Sequence, residues 1–439
     1  MRKWILLITL IVLAVFCLYS GSIFTETPVN EKDIPEFNGA DISWMLVSAA
    51  LVLIMTPGLG FFYGGMVTKK NVISTILQSF IAMGVITVVW VVIGFGLAFG
   101  DSIGGFIGNP TKYLFFNNVG TKTAWSLAPT IPILLFAIFQ MKFAVITPAL
   151  ITGAFAERVR FWAYLLFIIL FSILIYSPLA HAVWHPDGIL FKYGVLDFAG
   201  GTVVHMSAGW AALAAALFLK KRNEPEHNPS RITYVILGTA LLWFGWFGFN
   251  AGSALSSGSL AVQAFANTTA ASAAAAIGWG VIEKIRGKKL SAMGVCIGAV
   301  VGLVAITPAA GFVTLPHSIL IGLIAVVVSG FVVNLRSRTD VDDTLDVFPC
   351  HGVGGMVGMV LTGVFATSTI NPAVVEQGLF YGGDPALFIK HLVALVGVSV
   401  FAFGGSYALL YITNLITPLR VNQEYEIEGL DKTQHGESL

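Results

Sequence analysis

Long apolar stretches separated by short polar loops dominate the chain from about residue 41 onward. Each stretch has about 20 mostly apolar residues, the length that an α-helix needs to cross the roughly 30 Å of hydrocarbon in a bilayer. Eleven such stretches are centred near Leu53, Ile86, Val145, Ile168, Ala211, Leu241, Ala273, Val300, Ala325, Val357 and Gly397. The pattern predicts an all-α polytopic membrane protein with eleven transmembrane helices, whose ends lie on opposite sides of the membrane.

The first residues have the layout of a secretory signal peptide. Two cations, Arg2 and Lys3, precede an apolar stretch that ends at Tyr19, and small residues follow at positions 20–22. We expect residues 1–22 to be a cleaved signal peptide, although a retained signal anchor also fits because no clear cleavage motif is visible. In either case residues 23–40 form an external segment, residues 41–418 the membrane domain and residues 419–439 a cytoplasmic tail.

The distribution of cations predicts the orientation, because lysine and arginine accumulate in short cytoplasmic loops of membrane proteins. With an external N-terminus, sixteen cations fall on the cytoplasmic side and five on the external side. The chain is 56% hydrophobic and 11% charged, and its 24 basic residues nearly cancel 23 acidic ones, so nothing indicates a nucleic-acid partner. We therefore expect a multi-pass protein of the inner (cytoplasmic) cell membrane with a cytoplasmic C-terminus.

Three pairs of similar motifs recur in the same order along the chain, which indicates an internal repeat. The pairs are Gly60–Gly65 with Gly248–Ser253, Ala144–Ala149 with Val304–Ala309, and Asp197–Gly209 with Asp343–Gly355. They define two repeats, about 41–220 and 232–368, of five spans each, with a C-terminal helix outside the repeat. Because five is odd, the second repeat is inverted, and such repeats place a functional site near the midplane. Chance similarity among Gly-rich and Ala-rich helices is the alternative.

His205 and His351 are the main candidates for chemistry inside the membrane, where ionisable groups are costly and commonly functional. Each follows an aspartate, Asp197 or Asp343, by eight residues, which at 1.5 Å of helical rise per residue places each ring about 12 Å from its membrane face. Inverted repeats then bring both rings together near the centre, where imidazoles can relay a proton or hold a small polar molecule. A buried histidine satisfied by a neighbouring carbonyl is the alternative. No spacing predicts a metal site or any other cofactor.

Five other polar or aromatic residues have more than one interpretation. Asp197 and Asp343 precede helix starts and are expected to cap them, while Asp197 can also attract a cation beneath the outer mouth. Asp346 is either a loop charge or part of a polar path near His351. Trp184 ends the fourth span, where it is either an interfacial anchor or a cation–π surface. Lys142 in the third span can snorkel, pair across a subunit contact or be neutral, and the sequence does not choose.

Five motifs together resemble the ammonium transporter (Amt/Mep/Rh) family, specifically its bacterial Amt branch, over the chain from about Asp41 to the C-terminus. They are Pro57–Gly65, Thr152–Arg158, Asp197–His205, Trp246–Ser253 and His351–Gly355, and the tail from Glu428 to Glu437 is also similar. The resemblance implies an eleven-helix homotrimer with one pore per subunit and regulation by a PII-type signal protein at the cytoplasmic face. It also implies that Lys142 departs from an ordinarily uncharged position.

The resemblance also implies roles for individual residues. His205 and His351 correspond to the pore histidine pair and Phe143 with Phe249 to a stacked gate. Trp184, Ser253 and Phe143 correspond to an outer ammonium site with Phe139 and Gln140 beside it, and Asp197 to an essential carboxylate below it. The implied function is electrogenic ammonium uptake, in which ammonium is deprotonated and ammonia passes the histidines while the proton takes a separate path. An ammonium sensor acting on a cytoplasmic partner and a neutral ammonia or carbon dioxide channel are the alternatives, and no motif predicts an enzyme.

Overall fold

A computed structural model describes residues 11–18, 34–224, 228–382 and 384–439. Residues 11–18 are helical. The remainder of the predicted signal peptide, and residues 23–33 of the predicted external segment, lie outside the described residues. The cleavage of residues 1–22 therefore stays a prediction.

Within the described residues, ten helical segments are long and apolar enough to cross a membrane, and an eleventh apolar helix is shorter. The spans are, from first to eleventh, Gly39–Met66, Lys69–Phe99, Ile133–Phe155, Phe161–Tyr193, Gly201–Leu219, Ile232–Ala254, Ser259–Ile285, Ala292–Ile306, Leu315–Arg336, Phe348–Phe365 and Ala386–Ile416. Helices satisfy every backbone hydrogen-bonding group internally, which is what a segment in hydrocarbon requires. The predicted all-α fold with eleven spans is confirmed.

Four spans contain a turn or more of wider π-helix. The second and fourth spans have such turns in their interiors, at Trp90–Gly94 and Ser172–Tyr176. The fifth and tenth spans instead begin with one, at Gly201–Met206 and Phe348–Val353. The flanking α-helices are Val72–Val89, Phe95–Phe99, Phe161–Phe171, Ser177–Trp184, Ile189–Tyr193, Ser207–Leu219 and Gly354–Phe365. π-Helical turns are frequent at functional sites.

The connection between the second and third spans holds two small antiparallel ribbons. Strand β1 (Ser102–Ile103) pairs with β2 (Ile107–Gly108), and β3 (Ala124–Trp125) pairs with β4 (Ala128–Pro132). Short helical turns elsewhere are Lys69–Asn71, Pro110–Lys112, Leu114–Phe116, Gly252–Ala254, Leu379–Gly382, Gln423–Glu428 and Asp431–His435. These segments lie at the ends of the helix bundle and contribute loops to its two faces.

The two repeats pack against each other through small residues. The first and sixth spans, which occupy equivalent places in the repeats, lie in close contact along their lengths. A methyl group at Gly238 would lie 2.3 Å from the backbone nitrogen of Phe62, and one at Gly65 would lie 2.7 Å from that of Val235. Small residues at such positions let helix backbones approach closely, which is the usual basis of helix association in membranes.

The C-terminal tail docks on one face of the bundle, which we call the tail side. The Asp431 carboxylate accepts the backbone N–H groups of Ile73 (3.0 Å) and Ser74 (2.7 Å) at the start of the second span, where a negative charge is favourable. The ring of His435 packs edge-on against Phe161, with 4.9 Å between centroids. The tail is thus attached to the starts of the second and fourth spans.

A buried ionic network lies beneath the docked tail. The Arg222 guanidinium donates to the Asp342 carboxylate from Nε (2.8 Å) and Nη2 (3.1 Å), and to Glu157 Oε2 from Nη1 (2.7 Å). The three side chains are 5 to 7% exposed. Burial alone would raise the pKa of Glu157, but Arg222 and the donors of Thr68 hold it below its usual range. The network joins the loops that follow the third, fifth and ninth spans.

Candidate functional site

A cavity of about 510 Å³ opens on the face opposite the docked tail, and we call it the vestibule. Its lining includes Gln140, Phe143, Trp184, Asp197 and Ser253, so five of the residues predicted for an outer site lie together. Phe139 lies behind this wall instead, because it is fully buried and packs edge-on against Phe143 with 5.0 Å between centroids. Phe139 thus packs against the ring of Phe143 from the core side.

Two aromatic rings and a hydroxyl form the polarisable part of the vestibule. The ring of Phe143 is perpendicular to the Trp184 indole, with 6.0 Å between centroids. The Ser253 hydroxyl donates to the carbonyl of Phe249 at 2.8 Å, which leaves its oxygen lone pairs available as acceptors. The side-chain oxygen of Gln140 is buried without a partner among the described residues. The arrangement offers aromatic faces and acceptor oxygens to a small cation.

Asp197 is occupied by backbone donors. Its carboxylate accepts the N–H groups of Gly200 (2.8 Å), Gly201 (2.7 Å) and Thr202 (2.7 Å), and also the Thr202 hydroxyl. Its carbonyl accepts the indole N–H of Trp184 at 3.1 Å. Gly200 has a φ of +114°, a backbone conformation that residues with a side chain rarely adopt. Asp197 thus caps the start of the fifth span, as predicted, and fixes Trp184, while its charge remains on the vestibule wall.

Asp343 caps the tenth span in a similar way. Its carboxylate accepts the N–H groups of Val347 (3.0 Å) and Phe348 (2.7 Å). The helical turns begin at Gly201 and Val347, after each aspartate, as expected for capping residues that precede helix starts. The intervening residues loop back so that each carboxylate can reach the first N–H groups, and the depth that we estimated from continuous helical rise therefore does not apply. The cap itself is common to both repeats.

Phe143 and Phe249 separate the vestibule from the interior. Their centroids are 4.3 Å apart with the rings tilted by 43°, and both side chains are fully buried. On its inner side, the Phe249 ring stacks on the imidazole of His205, with 5.8 Å between ring centroids. The two rings close the passage from the vestibule to the histidines.

His205 and His351 meet behind this pair of rings. Their Nδ1 atoms are 3.3 Å apart and their rings are nearly parallel, with 23° between planes. A hydrogen bond between two Nδ1 atoms requires a proton on one and a lone pair on the other, so the two rings share one proton between those atoms. Nε2 of His205 is buried without a partner among the described residues. That nitrogen is available to a guest molecule.

The lumen around the histidines is narrow and largely apolar. One cavity of about 10 Å³ lies beside both rings and is lined mainly by hydrophobic side chains, and another of about 10 Å³ continues past His351 towards Tyr63 and Cys350. Such a volume holds about one water-sized molecule. Any species passing the histidines therefore moves singly and without a hydration shell.

Close approach of two glycines holds the histidines together. Gly209, one turn after His205, faces Gly352, and a methyl group at Gly209 would lie 2.2 Å from the Gly352 backbone. The π-helical start of the fifth span packs against the α-helical part of the tenth span, and the π-helical start of the tenth span packs against the α-helical part of the fifth. This reciprocal packing is what the repeated Asp–His–Gly spacing predicts for two related halves.

Sequence reasoning did not single out Trp246, which stacks on His205 with 5.4 Å between centroids and donates its indole N–H to Thr307 at 2.9 Å. Its place one helical turn before Phe249, together with the repeated motif around Thr307, was the available signal. Asp346 lies on the tail side, where its carboxylate is 2.8 Å from Arg336, so the structure places it in an ion pair. Lys142 is partly exposed on the third span, and nothing in the structure explains its charge.

Among the described residues, no three His, Cys, Asp or Glu side chains converge on a position that could hold a metal ion. The arrangement offers instead a polarisable vestibule, a closed aromatic pair and a dry passage that contains two imidazoles. Such an arrangement is able to attract a small cation and to pass a proton between two imidazoles.

Known proteins resemble this chain over most of its length. A model of the Ammonium Transporter Family matches residues 43–439. The chain is 47% identical to an ammonium transporter of Bacillus subtilis over 401 residues, covering 90% of this chain and 97% of that protein. It is 44% identical to an ammonium transporter of Aquifex aeolicus over 400 residues, covering 90% and 92%.

Solved structures are similar to this fold as well. The crystal structure of Saccharomyces cerevisiae Mep2 superposes with a TM-score of 0.83 at 35% identity, covering 89% of each chain. A structure described as a sensor Amt protein superposes with a TM-score of 0.80 at 29% identity, covering 90% of this chain and 98% of that one.

Proposed function

The chain belongs to the ammonium transporter family, and from that premise we propose that it takes up ammonium electrogenically through the vestibule and the histidine-lined lumen. It is a multi-pass membrane transporter and not an enzyme. In the proposed orientation the vestibule opens outside the cell and the tail side faces the cytoplasm. The excess of sixteen cations over five in the corresponding loops supports this orientation.

The vestibule is proposed to recruit ammonium. Trp184 and Phe143 present aromatic faces, each of which attracts a monovalent cation by about 0.5–2 kcal/mol depending on its desolvation. The Ser253 oxygen can accept one of the four N–H donors of ammonium and replace part of its hydration shell. Asp197 adds a negative charge on the same wall. Aromatic faces and oxygens alone do not distinguish ammonium from potassium, so selectivity requires a later step.

That later step is proposed to be deprotonation at the Phe143–Phe249 gate. Moving a bare cation into a lumen that holds about one small molecule is costly, whereas neutral ammonia avoids that cost. Ammonium gives its proton to Nε2 of His205 and becomes ammonia, which continues through the lumen; the proton passes from ring to ring through the Nδ1 contact, a path separate from that of ammonia. The observation that carries this proposal is the 3.3 Å contact between the two Nδ1 atoms, since it lets one proton be exchanged between the rings. Potassium has no proton to lose and is excluded.

The assembly is proposed to be a homotrimer with one pore per subunit, and the docked tail is proposed to be the element that a PII-type signal protein contacts. Membership of the family is what supports both proposals. The position of the tail, which is attached to the second and fourth spans through Asp431 and His435, supports a route from a bound regulator to the pore helices.

The test is an ammonium concentration series of currents on solid-supported membranes, for the wild type, His205→Ala and a matched histidine control. We expect His205→Ala to reduce the current by about 100-fold, since it removes a positioned proton-transfer group. The control is His317→Ala, because His317 stacks on Phe365, with 4.4 Å between ring centroids, and lines neither lumen cavity. A wild type without any ammonium-dependent current, or equal losses in the two variants, would refute the proposal.

Two other functions make different predictions in the same measurement. A neutral gas channel carries ammonia without current, whereas the aromatic and hydroxyl groups of the vestibule favour a charged substrate. A sensor role gains interest from the similar structure described as a sensor Amt protein. It would require a partner to respond to ammonium in a variant that no longer conducts.

A further inference from the structure

Three residues of the outer vestibule wall hold an amine in a defined place. Lys390, near the start of the eleventh span, has its Nζ 2.5 Å from the Glu376 carboxylate and 5.8 Å from the centroid of the Tyr193 ring. All three residues line the vestibule. Gly194 adjoins the same amine, since a Cβ there would lie 3.4 Å from Nζ. The protonated amine thus lies against a carboxylate and near an aromatic face.

A carboxylate beside an aromatic face is the chemistry that binds ammonium ions in water. The end of a lysine side chain is itself a primary ammonium group on a flexible stem. We propose that Glu376 and Tyr193 form a second cation site in the vestibule, for ammonium or a small primary ammonium ion, and that Lys390 is a tethered competitor which occupies it. This inference rests on the proposed function, because it assumes that ammonium enters through the vestibule.

The exposure of the pair makes exchange feasible. The side chain of Lys390 is 24% exposed and that of Glu376 is 37% exposed. Ion pairs with this much solvent contact contribute little net free energy, because solvent screens them and both long side chains lose rotamer freedom. The amine can therefore leave the site often enough for ammonium to enter. When it does, the carboxylate is left unpaired on a wall that leads to Trp184 and Ser253.

When a tethered group competes for a site, the apparent affinity for ammonium equals the intrinsic affinity multiplied by the fraction of time that the site is open. An exposed pair of this kind favours its closed state by no more than about fivefold. Replacing Lys390 by methionine keeps the length of the stem and removes the charge. We expect Lys390→Met to lower the half-saturating ammonium concentration of the current by about two- to fivefold. In that background, Glu376→Gln or Tyr193→Leu should raise it again.

Lys192 provides a matched control, because it also lines the vestibule but pairs with Asp187 at 2.6 Å and is 61% exposed. Lys192→Met removes the same charge from the same wall without vacating the proposed site, so its half-saturating concentration should change much less. Equal shifts for both methionine variants would indicate a general electrostatic effect and overturn the proposal. An unchanged value for Lys390→Met would overturn it as well.

A calorimetric titration of methylammonium into the purified full-length chain separates this inference from the proposed function. Tighter binding by Lys390→Met than by the wild type and Lys192→Met supports the site even if no variant carries a current. Currents that depend on ammonium in every variant, together with equal binding of methylammonium, would overturn the site and leave the transport proposal standing. Size-exclusion chromatography of each variant checks that it is folded.

Discussion

Gly209→Ala tests whether the closeness of the histidines is what permits conduction. The new methyl group would lie 2.2 Å from both Cα and N of Gly352, whereas ordinary contacts begin near 3.4 Å. Both obstructing atoms are backbone, so no side chain can swing aside, and the two helices must separate by the difference between those two distances. His205 and His351 lie on those helices, within about one turn of the contact. Their Nδ1 atoms, now 3.3 Å apart, would move beyond hydrogen-bonding distance.

The expected effect on function exceeds the effect on stability. Forcing a methyl group into a packed site costs about 1–3 kcal/mol, which a folded membrane domain can tolerate. Displacing reacting groups by about 1 Å can reduce a rate by about 100-fold. We therefore expect Gly209→Ala to be a folded protein whose ammonium-evoked current on solid-supported membranes falls by about two orders of magnitude. A thermal unfolding curve measured in detergent gives the accompanying loss of stability.

Gly397→Ala is the matched control. It makes the same substitution in the interior of the eleventh span, where a methyl group would meet no atom within 4 Å. Its current should equal that of the wild type, because alanine is a better helix former than glycine and nothing needs to move. If Gly209→Ala conducts within twofold of Gly397→Ala at equal expression, the contact between the histidines does not limit conduction.

Three further predictions concern the buried network and the vestibule. Arg222→Gln leaves two buried carboxylates without their guanidinium partner and should lower the free energy of unfolding by about 3–5 kcal/mol. The control Lys221→Gln, at an exposed neighbouring position, should change that free energy by less than about 1 kcal/mol. Similar unfolding temperatures for the two variants would contradict this prediction. The stabilisation should also depend on pH. Because the pKa of Glu157 is below its usual range in the folded protein, its contribution is present above the unfolded pKa of about 4.3 and is lost as the pH falls through the folded value. In Arg222→Gln, burial without the guanidinium raises the pKa of Glu157, so the difference between wild type and variant should be largest near neutral pH and shrink as the pH falls towards about 4; a difference that shrinks instead as the pH rises would contradict the assignment. Ser253→Ala should raise the half-saturating ammonium concentration by up to about tenfold, which corresponds to the net free energy of one hydrogen bond, and should change the maximal current little. Loss of the maximal current instead would place Ser253 in the conduction step.

Much of the architecture could be predicted because it depends on one-dimensional patterns. Span length follows from bilayer thickness, and the eleven apolar stretches all became helices. The equal Asp–His–Gly spacing in the two repeats also predicted that His205 and His351 would meet. The depth estimated from helical rise over all eight residues does not apply, since part of each Asp–His step is a loop followed by π-helical turns. Pairing was determined by the symmetry of the repeats, which does not depend on the local winding.

Other features depend on contacts between distant residues and had no local signal. Phe139, which the family resemblance implied to lie beside the outer site, packs behind Phe143 in the core, and nothing in the local sequence indicates that orientation. Lys390, Glu376 and Tyr193 come from two helices and a loop whose mutual positions are set by tertiary packing. The positions that the sequence predicted best were those duplicated in both repeats.

Gly355→Ala tests how far that duplication extends. Gly355 is the counterpart of Gly209, and perfect symmetry would make the two substitutions equally harmful. The structure is asymmetric here, because a methyl group at Gly355 would lie 2.9 Å from the carbonyl oxygen of Gly201 and 3.2 Å from the Cβ of His205. Since ordinary contacts begin near 3.4 Å, relieving these contacts needs less than half of the shift required at Gly209. Currents should therefore decrease in the order Gly397→Ala, Gly355→Ala, Gly209→Ala, and equal losses at the two repeat glycines would mean that symmetry, not the local gap, determines the cost.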